Sequence, residues 1–139
     1  RWKPERFAAL AERIGRETPL KPVVTWGPGE RPLAEDIVGR SGGQAVLALE
    51  TRSILDLAEL IRSSSLFVGC DSGPLHLSSA VSTPSVALFG PKDPRTYGPW
   101  NPRHRIVRKG EPGAGSMDDI SVDDAFAAVR ELLDEAPGA

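Results

Sequence analysis

The residues best suited to chemistry in this 139-residue chain are Cys70-Asp71-Ser72-Gly73-Pro74-Leu75-His76, where an apolar run gives way to a helical pattern. Gly73 lets the backbone turn sharply and lets a ligand approach it closely. Pro74 suits the first helical position and leaves its neighbours' N–H groups pointing outward. Such a helix N-terminus is an anion site, well matched to phosphate. Ser72 can add a hydroxyl donor, and His76, one turn in, can donate to the same phosphate. The plainer alternative is a capped turn, with Asp71 or Ser72 serving the helix and His76 packing on its side. A second unusual loop, Trp26-Gly27-Pro28-Gly29-Glu30, follows another apolar run. Neither GxxxxGK(S/T) nor GxGxxG is present, so the common nucleotide fingerprints do not apply.

The elements that would hold these loops alternate. A helix is predicted over residues 5–14, opened by Pro4, with Phe7, Leu10, Ala11 and Ile14 at helical spacing. Strands are predicted over residues 22–26, 45–49, 66–69, 85–89 and 104–107. Between them fall helices over residues 32–40, 54–62 and 75–82, the second capped by Ser53 with a stripe of Ile54, Leu57, Ala58 and Ile61. Gly42 and Gly43 close the helix before the second strand. Residues 90–103 read as a long loop and 111–117 as a connector. Ser121 with Asp124 forms a variant capping box for a last helix over residues 122–133. Strands alternating with helices, in runs that are almost wholly apolar, argue for a Rossmann-like parallel α/β sheet of five or six strands with helices on both faces. In such sheets ligands bind outside the carboxyl ends of the strands, where both unusual loops stand.

Composition excludes several classes. The chain is 40% hydrophobic, which rules out wholesale disorder, and its length suits one domain. Seventeen Lys and Arg stand against nineteen Asp and Glu, so a nucleic-acid partner is not expected. One cysteine, Cys70, allows no internal disulfide, and with two histidines it makes a zinc cluster improbable. Cys70 reads as a small buried residue, with nothing placed to lower its pKa. No apolar run is long enough for a transmembrane helix, and no signal-like leader is expected. The first residue is Arg1 and not Met, which leaves open a fragment or a processed form.

The stretch LAELIRSSSLFVGCDSGPLHLSSAVSTPSVALFGPKDPRTYGPW resembles glycosyltransferase family 9, the heptosyltransferase family. RWKPERFAALAERI resembles the family's K-x-W-P-x-erf motif, and PVVTWGPGE resembles its glycine-containing loop ending in Glu. The resemblance covers roughly residues 1–102, and its DSGPLH core is fairly specific. It implies one half of a GT-B fold, in which two Rossmann-like domains face each other across a cleft. Residues 1–139 would be the C-terminal, donor-binding domain, with the N-terminal acceptor and catalytic domain absent from this chain. Family members transfer heptose from an ADP-activated donor to the lipopolysaccharide inner core. The resemblance therefore implies a nucleotide-sugar donor, a lipopolysaccharide-type acceptor bound through the other domain, and a cytoplasmic enzyme associated peripherally with the inner face of the inner membrane.

Residue by residue, the resemblance implies that the backbone around Asp71, Ser72 and Gly73 holds the donor diphosphate, assisted by His76. Glu30 would accept hydrogen bonds from ribose hydroxyls; its alternative is a solvated glutamate at a helix start, favoured there by the dipole. Arg52 would fall near the base pocket, or be an exposed loop arginine. Lys92 stands where the family usually has Thr; it would pair with a phosphate or be solvated. Trp2, Trp26 and Trp100 are stacking candidates, with packing as the alternative, and His104 reads as structural or exposed. The family's basic residue ahead of its Trp would fall before Arg1, and the order here is Trp2-Lys3-Pro4, so Lys3 is at most a stand-in. The family's catalytic base lies in the other domain, leaving no catalytic residue here.

The implied reaction is direct displacement at the anomeric carbon, with the departing diphosphate stabilised by helix N–H groups and His76. No cofactor or metal is expected, because those donors can carry the anion and no carboxylate cluster is visible. Two rivals stand beside this reading. One is a non-catalytic nucleotide-sugar-binding or interaction module derived from the same fold. The other is a GT-B enzyme of another kind, such as a UDP-sugar epimerase, against which the DSGPLH segment argues.

Overall fold

A computed structural model of the chain describes residues 2–70, 72–90, 103–109 and 116–135. The elements run α1 (Pro4–Glu17), β1 (Val23–Val24), α2 (Arg31–Gly39), β2 (Val46–Leu47), α3 (Ile54–Arg62), β3 (Phe67–Cys70), α4 (Gly73–Ala80), β4 (Ser85–Phe89) and β5 (His104–Arg108). A 3-10 turn (Met117–Asp119) and α5 (Val122–Glu135) follow. The fold is mixed α/β, and among the described residues every strand pairing is parallel.

β4 lies at the centre of this arrangement. All five of its residues are buried, and its side chains alternate between two cores, as the pleat requires. Val86 and Leu88 enter a core with Trp2, Leu10, Ile14, Phe126, Val129 and Leu132, which puts α1 and α5 on that face. Ala87 and Phe89 meet Leu75 and Phe67, which puts α4 on the other. This two-sided burial is why Ser85-Val-Ala-Leu-Phe89 reads as an unbroken apolar run. β3 and β5 flank it in register, Phe67 opposite Ser85 and Ser85 opposite His104.

One expectation is corrected. Among the described residues the strands do not form a single sheet: β1 and β2 make a two-stranded sheet, and β3, β4 and β5 a three-stranded one. β1 and β2 contribute only two residues each to a ladder. β1 follows Pro22, which has no N–H to give, and ends before the Gly27-Pro28-Gly29 corner. A recess of about 710 Å³ separates the two sheets, lined by Val23 and Val24 on one side and Phe67 and Val68 on the other.

Several local signals hold. The Asp56 N–H donates to Ser53 Oγ at 3.2 Å, capping α3. Gly42 and Gly43 adopt φ of +66° and +81° after α2. The capping box of α5 is complete: the Asp124 N–H donates to Ser121 Oγ at 3.0 Å, and the Ser121 N–H donates to Asp124 Oδ2 at 2.9 Å. The apolar stripe of α3 is corrected in part, since Ile61 is buried but Ile54 is 70% exposed. α4 begins at Gly73, two residues earlier than expected, so Pro74 is its second residue.

Three substitutions test the packing and capping. Trp2 is 2% exposed, packs edge-on against Phe7 at 4.9 Å and donates from Nε1 to the Ile120 carbonyl at 2.9 Å. Trp2→Ala should therefore cost about 3–5 kcal/mol in urea unfolding, the range for large aromatic truncations in a core. The Asp124 carboxyl is held below its ordinary range, chiefly by the Ser121 backbone N–H, against an opposing push from desolvation and with help from the Ser121 hydroxyl and Lys109. A depressed folded-state pKa contributes stability above the unfolded pKa that is lost as pH falls through the folded one. Asp124→Asn should thus lower stability at pH 7 and flatten its fall below about pH 4, and Ser121→Ala should cost about 1 kcal/mol; unfolding midpoints across pH check both.

Candidate functional site

The site is built from two loops at the carboxyl ends of parallel strands, with different local means of support. The first begins where β3 ends. Ser72 is extended (φ −163°, ψ 171°) and stands at the N-cap of α4, yet its side chain caps nothing in the helix. Its hydroxyl instead donates to the Cys70 carbonyl at 3.1 Å. The His76 N–H closes the first turn on the Ser72 carbonyl at 3.2 Å. Pro74 has no N–H, so the first turn presents the N–H groups of Gly73 and Leu75, which have no i−4 carbonyl within the helix. Gly73 is exposed, and a Cβ placed on it would meet nothing within 4 Å. The open side of this helix start is therefore backbone, unscreened by a side chain. Leu75, fully buried against Ala87 and Phe89, anchors it to the sheet.

The second loop follows β1. Gly27, Pro28, Gly29 and Glu30 form a tight turn in which the Glu30 N–H donates to the Gly27 carbonyl at 3.0 Å. Gly29 takes φ +77°, and Pro28 precedes it, as a type II turn requires. Trp26 is half-buried: its Nε1 donates to the Ala48 carbonyl at 2.9 Å, and the Arg31 guanidinium lies over its ring at 5.3 Å.

The loops meet at two adjoining recesses. The smaller, about 340 Å³, is lined by Trp26, Glu30, Arg52, Ile54, Leu57 and Pro74, among others. The larger separates the sheets, and Glu30, Cys70, Ser72 and Pro74 lie along it. Thr25, Glu30 and Pro74 border both. Of the residues singled out in the sequence, Glu30 borders both recesses, Arg52 the smaller and Ser72 the larger. Arg52 is exposed, and its backbone N–H donates to Asp56 Oδ2 at 3.0 Å. His76 is half-buried one turn into α4 and is not a lining residue of either recess. Asp71, Lys92 and Trp100 lie outside the described residues.

Other candidates resolve differently. Trp2 belongs to the core. Cys70 is half-buried, less enclosed than expected. Lys3 is exposed at the N-cap of α1, and His104 is half-buried on β5. Ile54 and Leu57 line the smaller recess although the sequence does not single them out as site residues. Their helical spacing with Ala58 and Ile61 predicts a core-facing stripe; the signal against that is their place in the first turn after the Thr51-Arg52-Ser53 loop, at the mouth of a strand end. Among the described residues, no group of three or more His, Cys, Asp or Glu side chains is placed to hold a metal ion.

Comparison with known proteins agrees with this architecture. Residues 1–121 match the family described as Glycosyltransferase family 9 (heptosyltransferase). Lipopolysaccharide heptosyltransferase 3 of Escherichia coli K12 is 27% identical, over 99% of this chain and 44% of its own length. Another Escherichia coli heptosyltransferase 3 is 32% identical over 72% of this chain and 30% of its own length. The crystal structure of a family 9 glycosyl transferase from Veillonella parvula superposes with a TM-score of 0.86 at 27% identity, covering 98% of this chain and 43% of that one. Escherichia coli heptosyltransferase WaaC, solved with ADP, shares the fold with a TM-score of 0.82 at 19% identity. The chain spans less than half the length of these relatives. With a match over residues 1–121 and a fold shared at this level, the chain belongs to glycosyltransferase family 9, the heptosyltransferase family.

Proposed function

We propose that this chain binds the nucleotide-sugar donor of a heptosyltransferase, and that the protein it represents transfers heptose from ADP-heptose to a lipopolysaccharide core. The observation that carries the reading is the pair of adjoining recesses that Glu30 and Pro74 of α4 both border, with Ser72 on the larger and Arg52 on the smaller. A diphosphate suits the first side, because exposed backbone N–H groups and the helix dipole both favour negative charge. A nucleoside suits the second, because Glu30 offers acceptors to adjacent ribose hydroxyls while Trp26, Ile54 and Leu57 offer apolar surface to a base. The WaaC structure with ADP supports the choice of adenine nucleotide.

The chemistry assigned to this part is leaving-group stabilisation. As the anomeric bond to the diphosphate breaks, negative charge grows on the phosphate oxygens. The Gly73 and Leu75 N–H groups, already oriented by a helix anchored through Leu75, meet that charge without reorganising. The family resemblance also assigns His76 and the backbone at Asp71 to the phosphate side, with Lys92 as a further cation. The acceptor hydroxyl and the base that deprotonates it belong to the remaining length that the relatives possess and these residues do not cover. The reaction calls on no metal or other cofactor. Among the described residues no helix is long and apolar enough to cross a membrane, and the enzyme would work from the cytoplasmic face, associated peripherally where its lipid-linked acceptor lies.

Calorimetric titration of the chain with ADP, UDP and GDP tests the reading, with Gly73→Val as the variant. ADP should bind in preference to the other two. Gly73→Val should weaken ADP by at least about tenfold, ~1.4 kcal/mol, because its side chain fills the approach to the helix N–H groups. The fold should tolerate it, since no neighbour lies within 4 Å of the new Cβ. No binding of any nucleotide, or unchanged ADP affinity in the variant with its unfolding midpoint intact, would defeat the assignment.

A further inference from the structure

The turn that presents Trp26 is closed by two hydrogen bonds between the same two residues. Besides the backbone bond from Glu30 to Gly27, the Gly27 N–H donates to Glu30 Oε1 at 2.9 Å. Glu30 also starts α2, its carbonyl accepting from the Ala34 N–H at 3.0 Å. A glutamate in that place ordinarily reads as a cap or a solvated charge, yet its side chain makes no cap to α2. The carboxylate reaches back across the turn instead. Gly27 allows this closeness: a Cβ there would stand 3.1 Å from Glu30 Oε1.

We infer that Glu30 is a positioning residue of the recess: through the Gly27 N–H it holds the turn that sets Trp26 and Gly27 along the wall, a role separate from any contact with ribose. The inference rests on the donor-site reading for its effect on nucleotide, but the clamp itself is a property of the free chain. Gly27 immediately follows Trp26, so the backbone that Glu30 holds also sets where the indole lies between the Ala48 carbonyl and the Arg31 guanidinium. A hydrogen bond from an amide to a carboxylate is roughly twice as strong as a neutral one. In a half-exposed loop with few buried contacts, one such bond decides how often the segment opens.

Glutamine retains an oxygen able to accept from Gly27 and removes the charge; alanine removes the acceptor. The probe is 2′,3′-dideoxy-ADP, which lacks the ribose hydroxyls and so silences a ribose contact. Hydrogen exchange of the Gly27 amide reports the clamp without nucleotide, with the β4 amides as a control for folding. Glu30→Ala should speed Gly27 exchange by about tenfold or more while β4 stays protected, and Glu30→Gln should retain most of the protection. Dideoxy-ADP should bind Glu30→Ala at least about fivefold more weakly than Glu30→Gln, the factor one lost hydrogen bond supplies. Equal Gly27 exchange in Glu30→Ala and the unaltered chain would overturn the clamp, and equal dideoxy-ADP affinity in the two variants would overturn its role in binding. If the unaltered chain binds no nucleotide, the donor-site reading fails, and exchange alone decides the clamp.

Discussion

Burial of β4 on both of its faces is the constraint from which the rest of the described structure follows. A strand whose five residues are all buried needs a helix layer above and below it. The alternation of Val86 and Leu88 with Ala87 and Phe89 assigns those layers, α1 and α5 to one side and α4 to the other. Parallel pairing with β3 places the end of β3 beside the end of β4, so the connection into α4 must leave from the carboxyl edge. The helix N-terminus therefore sits at that edge as a consequence of packing, and its backbone donors are aimed by a core that tolerates little rearrangement.

The other wall of the recess has no such support. β1 and β2 pair through two residues each, Val23 and Val46 stay substantially exposed, and the Trp26–Glu30 segment is shaped by its own hydrogen bonds. Proline and glycine set the corner, and a carboxylate closes it. This side leans on local geometry, with burial confined to small contributions such as Ala34, Ile37, Ala45 and Ala48, where the other depends on burial throughout. A single side chain can thus matter to the turn to a degree that a surface glutamate seldom matters elsewhere.

Which parts were legible in the sequence follows from the same division. β4 was read with its true ends because two-sided burial writes an uninterrupted apolar run. The α3 and α5 starts were legible because Ser53 and Ser121 carry their capping partners three residues on. The strands at 22–26 and 45–49 were over-read: apolar content suggested five residues where only two find a ladder, and the gap between the sheets is a tertiary outcome that no local pattern encodes. Ile54 misled for a related reason, since helical spacing says which residues share a face and not whether that face meets a core or a recess. The turn into α4 is legible from Ser72-Gly73-Pro74 because those residue types each act on the backbone. The bond from Gly27 to Glu30 was not, because a glutamate three residues after a glycine carries no signal that its side chain turns back.

The contrast between the walls bears on how such a site would act on a donor. On the donor-site reading the reacting bond lies at the diphosphate, where small displacements cost the most in rate. A helix start anchored through Leu75 to a buried strand can hold that end of the ligand to within the tolerance the chemistry needs. On that reading the nucleoside end carries no reacting atom, and its wall rests on the two hydrogen bonds between Gly27 and Glu30. Support from a buried core belongs where charge develops, and a locally bonded turn suffices where the ligand is only recognised. On the donor-site reading the burial of β4 would supply the first, and Gly27, Pro28, Gly29 and Glu30 the second.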